Sequence, residues 1–402
     1  MKLKVAVMND AFPPTIDGTS STALNYANIL HKNHCDVMVI TPRAPHVKDN
    51  YPYEVFRYDA FQFNKKEQYQ FGWPFRHSLR EYVWSKNLDL MHFHCPIASG
   101  KFARIIAQGQ KIPIVATYHT KYDYDIRKRV PTKALQDFFL RFIVTNMSAA
   151  DEVWVVSPGA GENLKSIGYK GDYIVMPNGV DFPRGKADEN KVNELRKELK
   201  IPDGIPVFLF VGRIMWYKNL KITVDALKIL KDKGFDFRFV MVGKGTDERD
   251  IKRYINKSGI SEKCIYAGKI SDREKLRCYY SMADAFLFPS TFDSHGLVVR
   301  EAAACECPSL LIRNSSAAYG IEEGVTGFLS EENAVDFAEA IEDMISDMDK
   351  LKEVGKNAGE KIYLSWTDSV AAAYERYENL CKNWPYPLPC KGGKAVPAET
   401  KQ

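Results

Sequence analysis

The chain has 402 residues, enough for two domains at ~100–200 residues each. Hydrophobic residues at 45% and charged residues at 27% exclude a disordered chain, a collagen-like repeat and a small disulfide scaffold. The net charge of +5 is uneven: residues 1–180 hold 22 Lys+Arg against 16 Asp+Glu, the rest 34 against 35, so the first half suits phosphates, nucleic acid or an anionic membrane.

Buried strand patterns alternate with amphipathic stretches along the chain. Leu3–Met8 reads as a strand, and Ser20–His31 as a helix with Leu24, Ala27 and Leu30 on one face. Strands follow at Val37–Thr41, Leu88–His94, Pro113–Tyr118, Glu152–Val156 and Tyr173–Met176. The pattern restarts with strand Pro206–Val211, helix Asn219–Lys233, strand Phe237–Val242 and helix Asp247–Ser258. Lys263–Ala267, Ala285–Phe288 and Ser309–Ile312 complete the series, and a helix at Asp368–Lys382 comes after it. This is the signature of two α/β, Rossmann-like domains with parallel sheets. The expected organisation is a domain over 1–180, a second over 181–365, a C-terminal helix over 366–384 that crosses back to the first domain, and a disordered tail over 385–402 rich in Pro, Gly and Lys. No apolar run approaches a membrane span, and Met1–Met8 is too short for a signal peptide. The eight cysteines are scattered without zinc-knuckle spacing, which suits reduced thiols in a cytoplasm.

Three loops carry candidate chemistry. The first, Asn9–Ser20, holds Asp17-Gly18-Thr19 just before a helix. A glycine lets backbone approach a ligand, and a helix N-terminus attracts an anion. The plain alternative is a strand–helix turn with Thr19 or Ser20 as N-cap. The second, Gly212-Arg213 followed by Lys218-Asn219, sets two cations after the first strand of the second half. Arg can hold phosphate oxygens in a fork and Lys adds a point charge, unless both are solvated turn residues. The third runs from Phe288 to Ala302 and contains Asp293, Ser294, His295, Gly296, Leu297 and Glu301. Amides near Ser294–Leu297 can receive a diphosphate, while Glu301, one turn into the helix, can accept both hydroxyls of a ribose. Its apolar neighbours Leu297, Val298, Ala302 and Ala303 mark Glu301 as a partly buried acid that needs a partner.

Together these motifs resemble the retaining glycosyltransferases of family 4, which have the GT-B fold. The resemblance rests on Asp17-Gly18-Thr19, on Gly212-Arg213 with Lys218-Asn219, and on Asp293 and Glu301 with Gly296-Leu297 between them, and it runs from Met1 to about Leu380. The first acid of that pair is usually Glu in the family, and here it is the shorter Asp293. Thr117-Tyr118-His119-Thr120 resembles the corresponding stretch of diacylglycerol glucosyltransferases, and the resemblance implies that His119 reaches the donor sugar. Gly268-Lys269-Ile270-Ser271 resembles the loop whose backbone meets the nucleotide base, and Gly243-Lys244-Gly245 lines the same edge. His92 and His94 read as a strand end and not as a metal site, since no carboxylate ligand lies near in sequence. Asp123-Tyr124-Asp125 mimics the metal motif of the other main glycosyltransferase fold, in the wrong setting.

The resemblance implies a hexose moved with retention from a nucleotide sugar, UDP-glucose being the expected donor, through same-face attack. Arg213 and Lys218 would stabilise the leaving diphosphate, with His119 and Asp293 at the sugar and no metal or other cofactor required. Closure about Asn178–Asp181 would exclude water. The expected acceptor is a lipid such as diacylglycerol, held by the first domain; nucleic acid is not an expected partner. Arg127, Lys128, Arg129 and Lys133 precede a stretch with Leu135, Phe138, Phe139, Leu140, Phe142 and Ile143, which suits peripheral binding to an anionic bilayer on the cytoplasmic face. Phe138, Phe139 and Phe142 cannot all face lipid and core together. Trp73, Phe75 and Trp84, near Lys65, Lys66 and Arg76, add to the membrane reading. The alternatives are a GDP-mannose donor, a soluble or polysaccharide acceptor, or a two-lobed sugar-binding protein without catalysis. A UDP-sugar epimerase on a similar fold is disfavoured by the Asp293 and Glu301 pattern.

Overall fold

The structure is a computed structural model and describes residues 2–15, 17–45, 47–61, 71–74 and 76–392. The chain divides into two compact units, one made of residues up to Asn178 together with those from Trp366 onward, the other of Gly179–Ser365. Each unit holds its own parallel sheet and its own apolar core, as the alternating pattern requires.

The first unit contains β1 (Lys4–Met8), β2 (Asp36–Pro42), β3 (Glu54–Tyr58), β4 (Leu90–Phe93), β5 (Ile114–Tyr118), β6 (Glu152–Val155) and β7 (Ile174–Val175). They lie in the order β3-β2-β1-β4-β5-β6-β7, all parallel. The order reverses between β1 and β4, so the loops leaving their carboxyl ends open a crevice suited to a ligand. β4 and β5 are buried throughout, which is why their sequences run apolar without alternation. Helix α1 (Gly18–Asn33) lays Ala23, Tyr26, Ala27 and Leu30 into the core. Helix α2 (Ala98–Gln110) starts on the carboxylate of Asp10, which accepts the amides of Ala98 at 2.9 Å and Ser99 at 2.7 Å. Asp10 is therefore a buried cap for that helix.

The second unit contains β8 (Val207–Val211), β9 (Arg238–Val242), β10 (Cys264–Gly268), β11 (Ala285–Phe288), β12 (Ser309–Ile312) and β13 (Phe328–Ser330). Their order is β10-β9-β8-β11-β12-β13, again all parallel, with the reversal between β8 and β11. The edge strands β3 and β13 escaped the sequence reading, because each is short and only partly buried.

Two further segments bear on function. Helix α3 (Lys133–Met147) buries Leu140, Ile143 and Met147 and turns Phe138 (56% exposed) and Leu135 (42%) to solvent, with Phe139 and Phe142 half-buried. Helix α4 (Trp366–Lys382) joins the first unit, setting Trp366, Val370, Ala373, Tyr377 and Cys381 into its core at helical spacing and packing along α1. A fully buried side chain the size of Val370 is worth ~1.5–3 kcal/mol. The disorder expected from Pro385 is corrected for its described part. Leu388 is fully buried, Pro389–Lys391 forms a 3-10 turn, and the Cys390 amide donates to Asp89 at 2.7 Å. A single apolar anchor and one buried carboxylate outweigh the Pro- and Gly-rich composition there. Residues 393–402 lie outside the described residues, as do Lys65, Lys66 and Phe75.

Candidate functional site

The second unit gathers its charged groups at the reversal of its sheet. Arg213 and Lys218 lie on the loop that leaves β8; Asp293 lies on the loop that leaves β11, the neighbouring strand. The Lys218 ammonium reaches both oxygens of Asp293, at 2.6 and 2.7 Å. Lys218 is buried, and burial pulls its pKa down; Asp293 opposes that and the nearby Arg213 adds to it. The Arg213 guanidinium is exposed and sits 5.8 Å from the Tyr217 ring centre. An ammonium has three N–H groups, so Lys218 keeps one for a further acceptor after serving Asp293. The shorter acid at position 293 is thus seated on the lysine by both of its oxygens.

Beside this pair, helix α5 (Leu297–Ala304) begins with Gly296 in the left-handed region (φ 65°). A Cβ on Gly296 would meet that of Ala317 at 2.9 Å, so the residue admits only glycine without a shift. The Val299 and Arg300 amides donate to the Gly296 carbonyl, which leaves those of Leu297 and Val298 without an acceptor within the helix, an end that suits an anion. Ser294 is half-buried and His295 buried just before it. Arg300 is buried on the same helix and donates to the Tyr319 carbonyl at 2.6 Å, tying the Ser316–Ala318 turn to α5; burial brings its pKa down to about 10.

Glu301 has the partners that its burial demands. Oε1 accepts from Arg273 at 2.7 Å, and Oε2 accepts from the Tyr280 hydroxyl at 3.0 Å. A carboxylate offers about four acceptor sites, so two remain for a diol. Arg273 also lies 4.2 Å from the Phe182 ring centre and 3.5 Å from Asp181. Sequence reasoning missed Arg273 and Tyr280, which precede Glu301 by 28 and 21 residues and carry no motif of their own.

The glycines at the sheet edge have a packing reason. Gly212 donates to the Val242 carbonyl at 3.0 Å, and Gly243 to that of Gly268 at 2.8 Å, so the carboxyl ends of β8, β9 and β10 are laced together. A Cβ on Gly243 would fall 1.8 Å from the Gly212 carbonyl oxygen, and its φ of 141° disfavours any other residue. Lys269 is exposed and Ile270 half-buried beyond β10, on the same edge.

In the first unit, Gly18 and Thr19 open α1, and the N-cap is Asp17, not the Thr19 or Ser20 of the plain-turn alternative. Asp17 accepts the Ser20 amide at 2.7 Å and the Thr19 hydroxyl at 2.9 Å. A Cβ on Gly18 would meet nothing within 4 Å, so backbone there faces open space. His119 leaves β5 nearly buried, with Nε2 2.9 Å from Nδ1 of His94; burial brings its pKa down to about 3, against a smaller pull from Asp17. Among the described residues, no group of three or more His, Cys, Asp or Glu side chains is placed to hold a metal ion. Asp123 instead accepts from the Asn163 amide at 3.0 Å.

The aromatic surface divides. Trp73 is 48% exposed beside Phe61, whereas Trp84 packs against the core. Arg127, Lys128, Arg129 and Lys133 are all exposed ahead of the outward Phe138. Among the described residues no helix is long and apolar enough to cross a membrane.

Comparison with known proteins covers most of the chain. The profile of "Glycosyltransferase Family 4" matches residues 16–184, and that of "Glycosyl transferases group 1" matches 191–361. The alpha-monoglucosyldiacylglycerol synthase of Streptococcus pneumoniae is 23% identical over 76% of this chain and 70% of its own. That of Acholeplasma laidlawii is 24% identical over 82% and 85%. A GDP-mannose-dependent alpha-mannosyltransferase of Corynebacterium glutamicum is 25% identical over 84% and 79%. A solved sucrose-phosphate synthase from Thermosynechococcus elongatus superposes with a TM-score of 0.74 at 21% identity, over 94% of this chain and 99% of that one. The fold of two Rossmann-like units is thus shared with solved GT-B glycosyltransferases.

Proposed function

The chain belongs to glycosyltransferase family 4, and from that premise we propose that it moves glucose from UDP-glucose, with retention, onto a lipid such as diacylglycerol at a membrane surface. The observation that carries the donor half is the convergence of Arg213, the Lys218–Asp293 pair, the N-terminus of α5 and Glu301 at one sheet reversal. In this reading the α5 amides and the cations take the diphosphate. The remaining Lys218 N–H and the Arg213 fork strengthen their bonds as charge grows on the leaving group. The two unused acceptor sites of Glu301 take the ribose diol. Asp293, held in place by Lys218, is assigned to the hexose, and the family resemblance assigns His119 a contact to the donor sugar. The leaving diphosphate takes the proton of the attacking hydroxyl, and the two cations carry the charge that a divalent metal would otherwise neutralise.

The acceptor half rests on α3. Its outward Phe138 and Leu135 follow four exposed basic residues, an apolar step next to a cationic one. The relatives that glucosylate diacylglycerol support the same reading. The mannosyltransferase relative keeps GDP-mannose as the second donor to test.

The test is turnover of UDP-glucose, UDP-galactose, UDP-N-acetylglucosamine and GDP-mannose, each with diacylglycerol vesicles and with soluble sugars, products being read by anomeric proton NMR. An α-glucolipid formed from UDP-glucose alone is expected. Transfer only to soluble acceptors, or from GDP-mannose, would replace the lipid or donor assignment.

A further inference from the structure

Glu301 is met by a helix that lies outside the three motif loops. That helix, Arg273–Met282, is capped by Asp272, whose carboxylate accepts the amides of Glu274 at 2.9 Å and Lys275 at 3.1 Å, and it packs on α5. Arg273 and Tyr280 stand two turns apart on it and so share one face. Their surroundings differ. The Arg273 side chain is 43% exposed, over the Phe182 ring. Tyr280 has no exposed surface, and its ring packs edge-on against Phe182 and Phe286 at centroid distances of 6.0 and 5.6 Å.

The carboxylate of a glutamate turns about a broad, two-fold torsion, so an unheld one presents its oxygens in many orientations. Here each oxygen has its own donor, Arg273 on Oε1 and the Tyr280 hydroxyl on Oε2. Turning the carboxylate breaks both bonds. The Glu301 side chain is only 13% exposed, so water replaces them poorly. The direction of both bonds is fixed by chemistry. A guanidinium has no lone pair to offer. The phenol stays protonated, since burial first and the Glu301 charge second push its pKa well above the ordinary value. The acceptor sites left for a diol are therefore set before any ligand arrives, and the ordering is completed in folding instead of in binding. Tyr280 is wholly enclosed, so it acts on a ligand only through Glu301.

We infer that Tyr280 is a positioning residue for nucleotide recognition: its hydroxyl, with Arg273 on the other oxygen, fixes the Glu301 carboxylate so that the site selects nucleotides with an intact ribose diol over those that lack it. The inference rests on the proposed contact of Glu301 with the ribose.

Calorimetry on the full-length protein tests it by comparing UDP with 2′,3′-dideoxy-UDP. GDP and 2′,3′-dideoxy-GDP are run in parallel, so that the choice of base does not decide the result. The parent should bind the ribonucleotide about tenfold tighter than its dideoxy form, or more. Tyr280→Phe keeps the ring and its packing and removes only the hydroxyl. It should weaken ribonucleotide binding about fivefold and leave dideoxy binding within about twofold, so the preference shrinks. In the Glu301→Gln background the same change should have no further effect, because the two residues act as one unit. Arg273→Met, at a half-exposed position, should also shrink the preference, and it carries the test if Tyr280→Phe does not fold. A preference that stays intact in either folded variant overturns the inference alone. Equal weakening of both nucleotides by Tyr280→Phe also overturns it, since that is the mark of a general loosening. A parent that binds both forms alike, or binds neither, overturns the ribose role of Glu301 and the inference with it.

Discussion

Replacing Lys218 by Met separates what this residue does for the fold from what it does for a ligand. Removing one partner of a fully buried ion pair costs ~3–5 kcal/mol, because the other charge is stranded. Here the Lys218 side chain is 7% exposed and that of Asp293 is 23% exposed, so water softens the loss. We expect Lys218→Met to destabilise the second unit by ~1–3 kcal/mol. The double variant Lys218→Met with Asp293→Leu removes both charges and should regain stability to within ~1 kcal/mol of the parent. Transfer behaves otherwise: losing a charge-assisted donor to a leaving diphosphate costs ~100–1,000-fold, and the double variant cannot recover it. Because the chain has two units, a single unfolding midpoint is ill-defined. Hydrogen exchange of β8 peptides across a urea series reads the second unit directly. Stability that fails to return in the double variant would refute the pairing argument. Transfer that does return would refute the assignment of Lys218 to the diphosphate.

Acid should loosen the first unit. His119 is held near 3 and His92 and His94 also below the ordinary value, so the unfolded chain takes up protons first as pH falls below about 6.5. Stability is full above that pH and drops by up to about 1.4 kcal/mol per histidine for each further pH unit. Urea midpoints followed by tryptophan fluorescence check this, since Trp73, Trp84, Trp154, Trp366 and Trp384 fall in the first unit; a flat profile from pH 7.5 to 5.5 would contradict it. Glu301→Gln should weaken UDP binding about tenfold by calorimetry, through loss of charge on the diol acceptor. Unchanged affinity would make Glu301 only the partner of Arg273. Reversing Arg127, Lys128, Arg129 and Lys133 to Glu should abolish salt-sensitive sedimentation with anionic vesicles, each basic residue being worth ~1 kcal/mol there. Equal sedimentation of the unmodified protein with neutral vesicles would defeat the electrostatic account.

How much of this could be read beforehand follows the physics of each element. Central strands such as Val207–Val211 and Ala285–Phe288 are buried on both faces, so a run of apolar residues announces them. Glu54–Tyr58 and Phe328–Ser330 are half-covered edges and give no comparable contrast. The loops with Arg213 and Asp293 were recognisable as candidates one at a time. Their union came only from the family resemblance, because Lys218 and Asp293 stand 75 residues apart and meet only through the order β8-β11. Arg273 was invisible for the same reason, and so was the His94 contact, which needs β4 and β5 side by side. The tail was misread because composition reports average solubility and is blind to one buried Leu388.

The enclosure of α4 in the first unit sets an order on biosynthesis. The core around Trp154 and His92 is closed by Tyr377, which stacks on the Trp154 ring at 5.5 Å and bonds His92, yet Tyr377 is made only after all of Gly179–Ser365. At ~5–20 residues per second, a ribosome leaves the first unit uncapped for of the order of ten seconds or more. During that interval the face of α1 that receives α4 is open to solvent and to chaperones. The second unit can complete its core meanwhile, and its two ends lie side by side, with the Val180 amide bonded to the Leu364 carbonyl at 3.0 Å. It behaves as an insertion with adjacent termini. Excising Gly179–Ser365 and joining Asn178 to Trp366 through a short linker should therefore yield a first unit that folds faster than it does within its parent.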